Sequence, residues 1–505
     1  MISPVGVRST GGPLPRFENV PHRHHHSRPY VLVLFGGLFV ALLLGLTTPA
    51  RASDDQLVDD YRSAFGPPGL AAAVIDSSGV ETILRGHDGE GNPVTPRTRF
   101  RLASLSKSMT ATAVMLLVDR DRFTLDDPVA KVLPEFRLDD PRYPTITVRQ
   151  LLSHTSGLSV STNDEYALPP PGTAQEVVAR LADKRLAYEP GTTYDYHNTN
   201  FSIAARIVEV VSGMSFEDFL QRELFGPLGM TDTSTTEFCQ DTAPGLAEGF
   251  VVIAGLAVRL PEMPGSCVGN GGAISTLDDM VRWMRFNQGT LGTELLSPGA
   301  LAELHRPQPG ARGYALGWEE RPVAEGAPPT LISHGGSLAT WSTDMAFAPA
   351  TGEAVIVLTN GGSGAPGLLT INLIAARTGA PVTGMSNPLA TVNLVLLGLS
   401  IVAAAALVLT IVRAPRWAAR RRAARRPLVA LRLVPLAVVT VAGLLLPALI
   451  GIQGGAFNLQ YWVVVTWLLP MLAIFSALCC LLGITALGRR LWSWFRSRPA
   501  PATKS

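Results

Sequence analysis

The sequence predicts an α+β domain followed by three transmembrane helices, and three observations lead there. Strand-like runs stand at both ends of residues 53–380: 70–75 and 80–85 early, then 314–318, 330–333, 341–348 and 354–359 late. Between them lies a long stretch of helical and loop character. After a Pro/Gly/Ser linker at 381–388 come three apolar runs, 389–412, 428–452 and 461–487. Each is long enough to cross a hydrocarbon core of about 30 Å. Strands at both ends imply one sheet that closes the domain around a helical insertion.

Composition fits this division. Apolar residues make up 47% of the 505 and charged residues 16%, a membrane-leaning balance. The formal net charge of +2 hides an uneven distribution, with arginines crowding the last quarter. No basic stripe with interleaved aromatics marks the rest of the chain, which argues against nucleic acid as a partner. The bilayer is the expected one. The sequence carries no signal of oligomeric state.

Residues 1–52 read as a signal peptide or signal-anchor. Arg8, Arg16, Arg23 and Arg28 precede an apolar stretch at 31–46, and Ala50-Arg51-Ala52 is a small-x-small cleavage site. The cluster His22, His24, His25 and His26 reads as a flank of that signal rather than a metal site. Charge sets the expected topology. The loop at 413–427 is Arg-rich, the tail at 488–505 holds Arg489, Arg490, Arg496, Arg498 and Lys504, and the loop at 454–460 has no basic residue. The positive-inside rule then places the first two in the cytoplasm and the domain at 53–380 outside, on a multi-pass cytoplasmic-membrane protein.

Of the four cysteines, Cys479 and Cys480 lie in the third apolar run, and Cys239 and Cys267 lie in the domain. An oxidising compartment permits the second pair to bond, which would close a loop of about 27 residues worth about 3 kcal/mol. No Cys/His spacing resembles a zinc site, so no metal is expected.

Within the domain, 54–65 reads as a helix and Asp76-Ser77-Ser78-Gly79 as a hairpin turn. Phe100-Arg101-Leu102-Ala103-Ser104-Leu105-Ser106-Lys107 then leads into a helix that runs to Val118. Ser104 and Lys107 are three apart and share a helix face. A serine hydroxyl needs a base, and a lysine one turn away serves if its pKa is lowered. Further on, Thr147 starts a helix that runs into Ser153-His154-Thr155-Ser156-Gly157-Leu158, and 201–211 and 216–224 read as amphipathic helices. The helix at 367–378 closes the domain.

Two other stretches carry chemistry. Tyr196-His197-Asn198 precedes a helix and offers a phenol for proton relay and an amide for the substrate. Ser333-His334-Gly335-Gly336-Ser337 ends a strand, and its glycines allow close approach of a substrate backbone. Such an edge can also present N–H groups to an oxyanion.

Each signal is weak singly. In this order and at these distances they resemble the serine penicillin-recognising family: class C β-lactamases, D-Ala-D-Ala peptidases of that branch, related esterases and D-amino-peptide hydrolases. The resemblance spans about residues 56–378. Ser104-Leu105-Ser106-Lys107 matches the Ser-x-x-Lys box, Tyr196-His197-Asn198 the Tyr-x-Asn box, and His334-Gly335-Gly336 the third box, which is Lys-Thr-Gly in true β-lactamases. Gly271-Gly272-Ala273-Ile274-Ser275-Thr276 and Leu316-Gly317-Trp318 support it.

The resemblance implies a β-lactamase/DD-peptidase-like fold, an antiparallel sheet flanked by helices with a helical subdomain. It implies acyl transfer with Ser104 as nucleophile and Lys107 and Tyr196 handling protons. Asn198, His334, Gly335, Gly336 and Ser337 would surround a small-molecule or peptide substrate, with Ser104 and Ser337 N–H groups as oxyanion hole. His154 is expected to be structural, and no cofactor is expected. His334 in place of the lysine points to a peptidase or amidase acting at a D-amino acid rather than a β-lactamase. An esterase and a β-lactam sensor without turnover are the alternatives. The layout as a whole is similar to the membrane-bound prodrug peptidases of natural-product pathways, of the colibactin-maturation type.

Overall fold

The computed structural model describes residues 53–497 apart from 254, 325, 363 and 451–460. The signal reading, with its histidine cluster, lies outside the described residues.

Ten strands are present among these: β1 Gly69–Asp76, β2 Gly79–Gly86, β3 Phe100–Arg101, β4 Phe250–Ile253, β5 Leu256–Arg259, β6 Ile274–Ser275, β7 Glu319–Ala324, β8 Ala327–Ser337, β9 Ser342–Phe347 and β10 Ala354–Thr359. Six form an antiparallel sheet in the order β2-β1-β10-β9-β8-β7. The first and last strands of the domain thus meet, with Leu70 opposite Thr359 and Ile75 opposite Ala354. The expected closure of the sheet around an insertion is what the chain builds.

The sheet separates two cores, and β1 shows how. Ala71, Ala73 and Ile75 face the helical lobe, while Leu70, Ala72 and Val74 face the other side. Alternation of side chains along a strand lets one apolar run serve both. On the second face lie the helices Asp54–Phe65 and Pro366–Thr378, through Val58, Tyr61, Leu369 and Leu373. The first is capped by Ser53, whose Oγ accepts from Gln56 N. On the other face the nucleophile helix Ser106–Asp119 packs against Thr199–Ser212, the pair forming the centre of the helical lobe.

Local expectations needed correction at four places. The segment at 314–318 is not a strand: Gly317 has φ +72°, and Ala315 N turns back to Trp318 O. The strand is β7, one step later, disguised by its sequence Glu-Glu-Arg-Pro-Val-Ala; Pro322 and charges mark a sheet edge. β8 is longer than expected and carries His334–Ser337 within it. The helix read at 216–224 ends at Leu220 and passes into a π turn, Gln221–Phe225.

Past the linker, Pro388–Val412, Arg426–Leu449 and Pro470–Arg496 are long and apolar enough to cross a membrane. The third run is not one helix. It breaks at Leu469, with φ −137° and ψ 61°, into Tyr461–Leu468 and Pro470–Arg496. Pro470 opens the second of these helices, a position where its missing N–H costs no helical hydrogen bond.

Candidate active site

Leu102 N bonds Ala273 O, which ties the end of β3 to β6 and delivers the chain into a single 3-10 turn, Ala103–Leu105. Ala103 carries φ +51°, a left-handed conformation costly for a residue with a Cβ. That turn sets Ser104 at the entrance of the nucleophile helix, where the helix dipole favours developing negative charge. Ser106 secures it: its Oγ donates to Ala103 O and accepts from Ala273 N.

Lys107 is fully buried, and its Nζ lies 3.0 Å from Ser104 Oγ and 2.8 Å from Asn270 O. Burial, opposed by the Glu165 carboxylate, pulls the ammonium down to about 7. The lysine is therefore substantially neutral at pH 7 and able to accept a proton.

Tyr196 hydrogen-bonds Ser104, and its ring lies 4.9 Å from Lys107 Nζ. Desolvation raises the phenol above its usual value, so it is held neutral and can donate, while the residue keeps 40% of its surface exposed. The ring is braced from behind by His154, 4.3 Å away between centroids. His154 is buried, and its Nδ1 accepts from His197 N at 3.2 Å. This is a structural post for the Tyr-x-Asn loop.

Asn198 donates from Nδ2 to Glu165 Oε2 at 2.9 Å, and Thr199 N donates to Glu165 Oε1 at 2.8 Å. Glu165 thus fixes the start of the Thr199–Ser212 helix and the amide at once. Sequence reading did not single out Glu165, which stands 33 residues before Asn198.

The opposite wall is β8. Its pairing with β7 stops at Ser333, whereas its pairing with β9 continues to Ser337. The β7-side edge of the last residues is left open, and Gly335, Gly336 and Ser337 line the cavity. His334 does not line it. The ring is buried behind the wall, with Nδ1 2.7 Å from Gly335 O and Nε2 2.8 Å from Tyr314 Oη. Burial, with Lys107 nearby, pushes it down to about 3, so it stays neutral. The glycines also differ from expectation. A Cβ at Gly336 would stand 2.5 Å from Leu102 O, so this glycine serves the packing of β8 on the nucleophile turn. At Gly335 the nearest atom would be 3.4 Å away.

Beyond Ser337 the chain turns, and Glu262 holds that turn. Its carboxylate accepts from Ala339 N, Thr340 N and Thr340 Oγ1 at 3.0, 2.9 and 2.6 Å. The segment carrying Glu262 and Asn270 is bonded to the lobe by the Cys239–Cys267 disulfide, Cα atoms 5.1 Å apart. All these walls enclose one cavity of about 630 Å³. It can hold a substrate carbonyl between Ser104 and Ser337, with a proton acceptor and a proton donor alongside.

Comparison with known proteins identifies the family. The family profile Beta-lactamase matches residues 55–379. Penicillin-binding protein 4 of Amycolatopsis lactamdurans is 32% identical over 333 residues, covering 60% of this chain and 84% of that protein. An unguisins hydrolase of Aspergillus campestris is 27% identical over 321 residues, covering 58% of each. Among solved structures, a D-stereospecific amidohydrolase from Streptomyces is 25% identical with a TM-score of 0.54, covering 66% of this chain and all of that one. The octameric penicillin-binding protein homologue from Pyrococcus abyssi has a TM-score of 0.56 at 24% identity, covering 65% and 77%, and supports the fold. The chain belongs to the β-lactamase family of serine hydrolases.

Proposed function

We propose that this member of the β-lactamase family is a membrane-anchored, extracytoplasmic serine hydrolase that cleaves an amide bond at a D-amino acid through an acyl-enzyme. The observation that carries the reading is the buried Lys107 Nζ at 3.0 Å from Ser104 Oγ, with its ammonium drawn down to about 7. Ser104 Oγ attacks the substrate carbonyl and its proton passes to Lys107. The adduct's oxygen is met by the N–H groups of Ser104 and Ser337. As the C–N bond breaks, Tyr196 protonates the departing nitrogen and recovers a proton from Lys107. Water then cleaves the acyl ester and restores Ser104.

Two things favour an amide at a D-residue over a β-lactam or an ester. One is the similarity to a D-stereospecific amidohydrolase. The other is His334, neutral and turned away from the cavity, which supplies no cation for the carboxylate of a β-lactam. A cell-wall peptidase and a prodrug-activating peptidase share this chemistry.

The orientation rests on the ends of the helices. At one end Asn387 Nδ2 donates to Ala64 O of the catalytic domain, at 3.3 Å. At the other, Arg490 lies over Trp417 in the arginine-rich region. A basic end opposite the domain is what a domain outside the cytoplasm requires. Digestion of intact cells with an impermeant protease tests it: the domain must be cut while the cytoplasmic loop is spared.

Activity is tested by product analysis on membranes carrying the wild type or Ser104→Ala. The substrates are an acyl-D-Asn amide, an acyl-D-Ala-D-Ala peptide, a cephalosporin and a short-chain ester. Cleavage of a D-residue amide, absent in Ser104→Ala, is expected; cleavage of the ester alone would overturn the amide reading.

A further inference from the structure

The three apolar helices have so far served only as an anchor. The short helix Tyr461–Leu468 does something else. Its last residue, Leu468, lines the same cavity as Ser104, Tyr196 and Gly336. It is held there at two points, and both are on the cavity rim. Trp467 Nε1 donates to Pro261 O at 2.9 Å, one residue before Glu262. Tyr461 packs edge-on against Tyr166, ring centroids 6.2 Å apart, and Tyr166 is itself a lining residue.

The break at Leu469 explains how this is possible. A helix continuing straight from Pro470 would follow the apolar bundle. The non-helical backbone at Leu469 instead frees the preceding two turns to lie against the catalytic domain. Leu468 is 40% exposed, an apolar side chain facing open space rather than packed away. The same cavity carries Val177, Met263 and Pro264 in its lining.

From this geometry we infer that Leu468, carried by the broken third apolar helix, is a wall of the substrate cavity and selects substrates bearing an apolar group beside the scissile bond. Leu468 is a specificity residue here, separate from the groups that move protons. The catalytic domain does not complete its own binding site. The apolar segment supplies the missing side, so a change in how that segment sits reaches the substrate directly. The inference rests on Ser104 being the nucleophile.

The test needs only that nucleophile and no knowledge of the natural substrate. The full chain in membranes is labelled with two fluorophosphonates that differ in one substituent, ethyl against decyl, and the labelling rates are compared. Partition of the decyl probe into lipid affects every variant equally and cancels in the comparison. Leu468→Ser should lower the decyl-to-ethyl rate ratio about fivefold or more relative to wild type, given what a few methylenes are worth in an apolar pocket. Leu468→Met, which keeps an apolar wall, should hold the ratio within about twofold. Trp467→Phe removes the donor to Pro261 O and should fall between them. A wild-type ratio retained by Leu468→Ser overturns the inference. So does an equal fall in Leu468→Met, which would point to disruption of the helix rather than loss of the wall. Failure of both probes to label the wild type at Ser104 instead overturns the nucleophile assignment, and the inference with it.

Discussion

The two walls that face each other across the cavity work in opposite ways. The nucleophile wall acts through side chains. Ser104, Lys107 and Tyr196 bring a hydroxyl, an amine and a phenol together, with desolvation drawing the amine down and the phenol up. The β8 wall acts through its backbone: Gly335, Gly336 and Ser337 present an open strand edge, and the motif's own titratable side chain, His334, is tied up behind it. A wall of side chains is sensitive to residue identity. A wall of backbone is sensitive to what holds it in place. That contrast orders the expected effects of substitution.

The largest effects belong to the first wall. Ser104→Ala should lower turnover by about a thousandfold or more while leaving the thermal unfolding transition unchanged. Lys107→Ala should slow acylation by a serine-directed phosphonate at least about a hundredfold. The wild-type acylation rate should depend on pH with the sign of a base. Below about 7 the lysine is protonated and cannot accept from Ser104, so the rate falls with unit slope as pH drops; above 7 it levels off. Arginine stays charged throughout, so Lys107→Arg should not restore activity at any pH. An acid limb that survives in Lys107→Arg would show that another group is the base.

Tyr196→Phe comes next, with a loss of about a hundredfold in kcat on an amide and a smaller loss on an ester with a good leaving group. The asymmetry is the informative part. A departing amine must be protonated, whereas a stable alkoxide or phenolate need not be. Equal losses on both would mean that the phenol orients the serine rather than feeding the leaving group.

The first wall was legible in the sequence because its chemistry lies in side chains at short spacing. Ser104 and Lys107 one helical turn apart, and Tyr196 just before a helix, can be found by reading. The sheet was legible because β1 and β10 are apolar and bounded by turns. What escaped reading was long-range or hidden in backbone. Glu165 holds Asn198 from 33 residues away, and Glu262 holds Ala339 from 77 away. No local pattern announces either. His334 looked like a functional side chain because it stands in a motif, yet its ring serves Tyr314 and Gly335 O. β7 was missed because an edge strand with Pro322 and three charges lacks alternation. The third apolar run was read as one helix because hydropathy does not report a break at a proline.

The second wall should respond to its supports. Glu262→Gln leaves one oxygen where the Ala339 and Thr340 N–H groups and the Thr340 hydroxyl now share two. The remaining amide turns an NH₂ toward a donor, and a buried mismatched donor costs about 1–3 kcal/mol. Turnover should fall about tenfold, with the acid limb near pH 7 unmoved because Lys107 is untouched. Reduction of Cys239–Cys267 should act on the same segment and lower the unfolding free energy by about 2–4 kcal/mol. A shift of the acid limb in Glu262→Gln would place this carboxylate in the electrostatics of the lysine instead of in the support of β8.

The smallest effect should come from His334, and it decides whether the contrast between the walls holds. The ring is buried and neutral, donates from Nδ1 to Gly335 O and accepts at Nε2 from the Tyr314 hydroxyl. Glutamine supplies both a donor and an acceptor at similar reach. His334→Gln should therefore lower kcat/KM on a D-residue amide by no more than about fivefold, the cost of imperfect packing rather than of lost chemistry. Its acid limb should stay near 7, since a neutral ring contributes no charge for Lys107 to feel at that pH. Removing both hydrogen bonds with His334→Leu should cost more, through the Gly335 carbonyl and the position of β8, and should show itself as a loss of stability alongside activity. A hundredfold loss in His334→Gln with unchanged stability would break the comparison, because the third motif would then act through a side chain as the first two do.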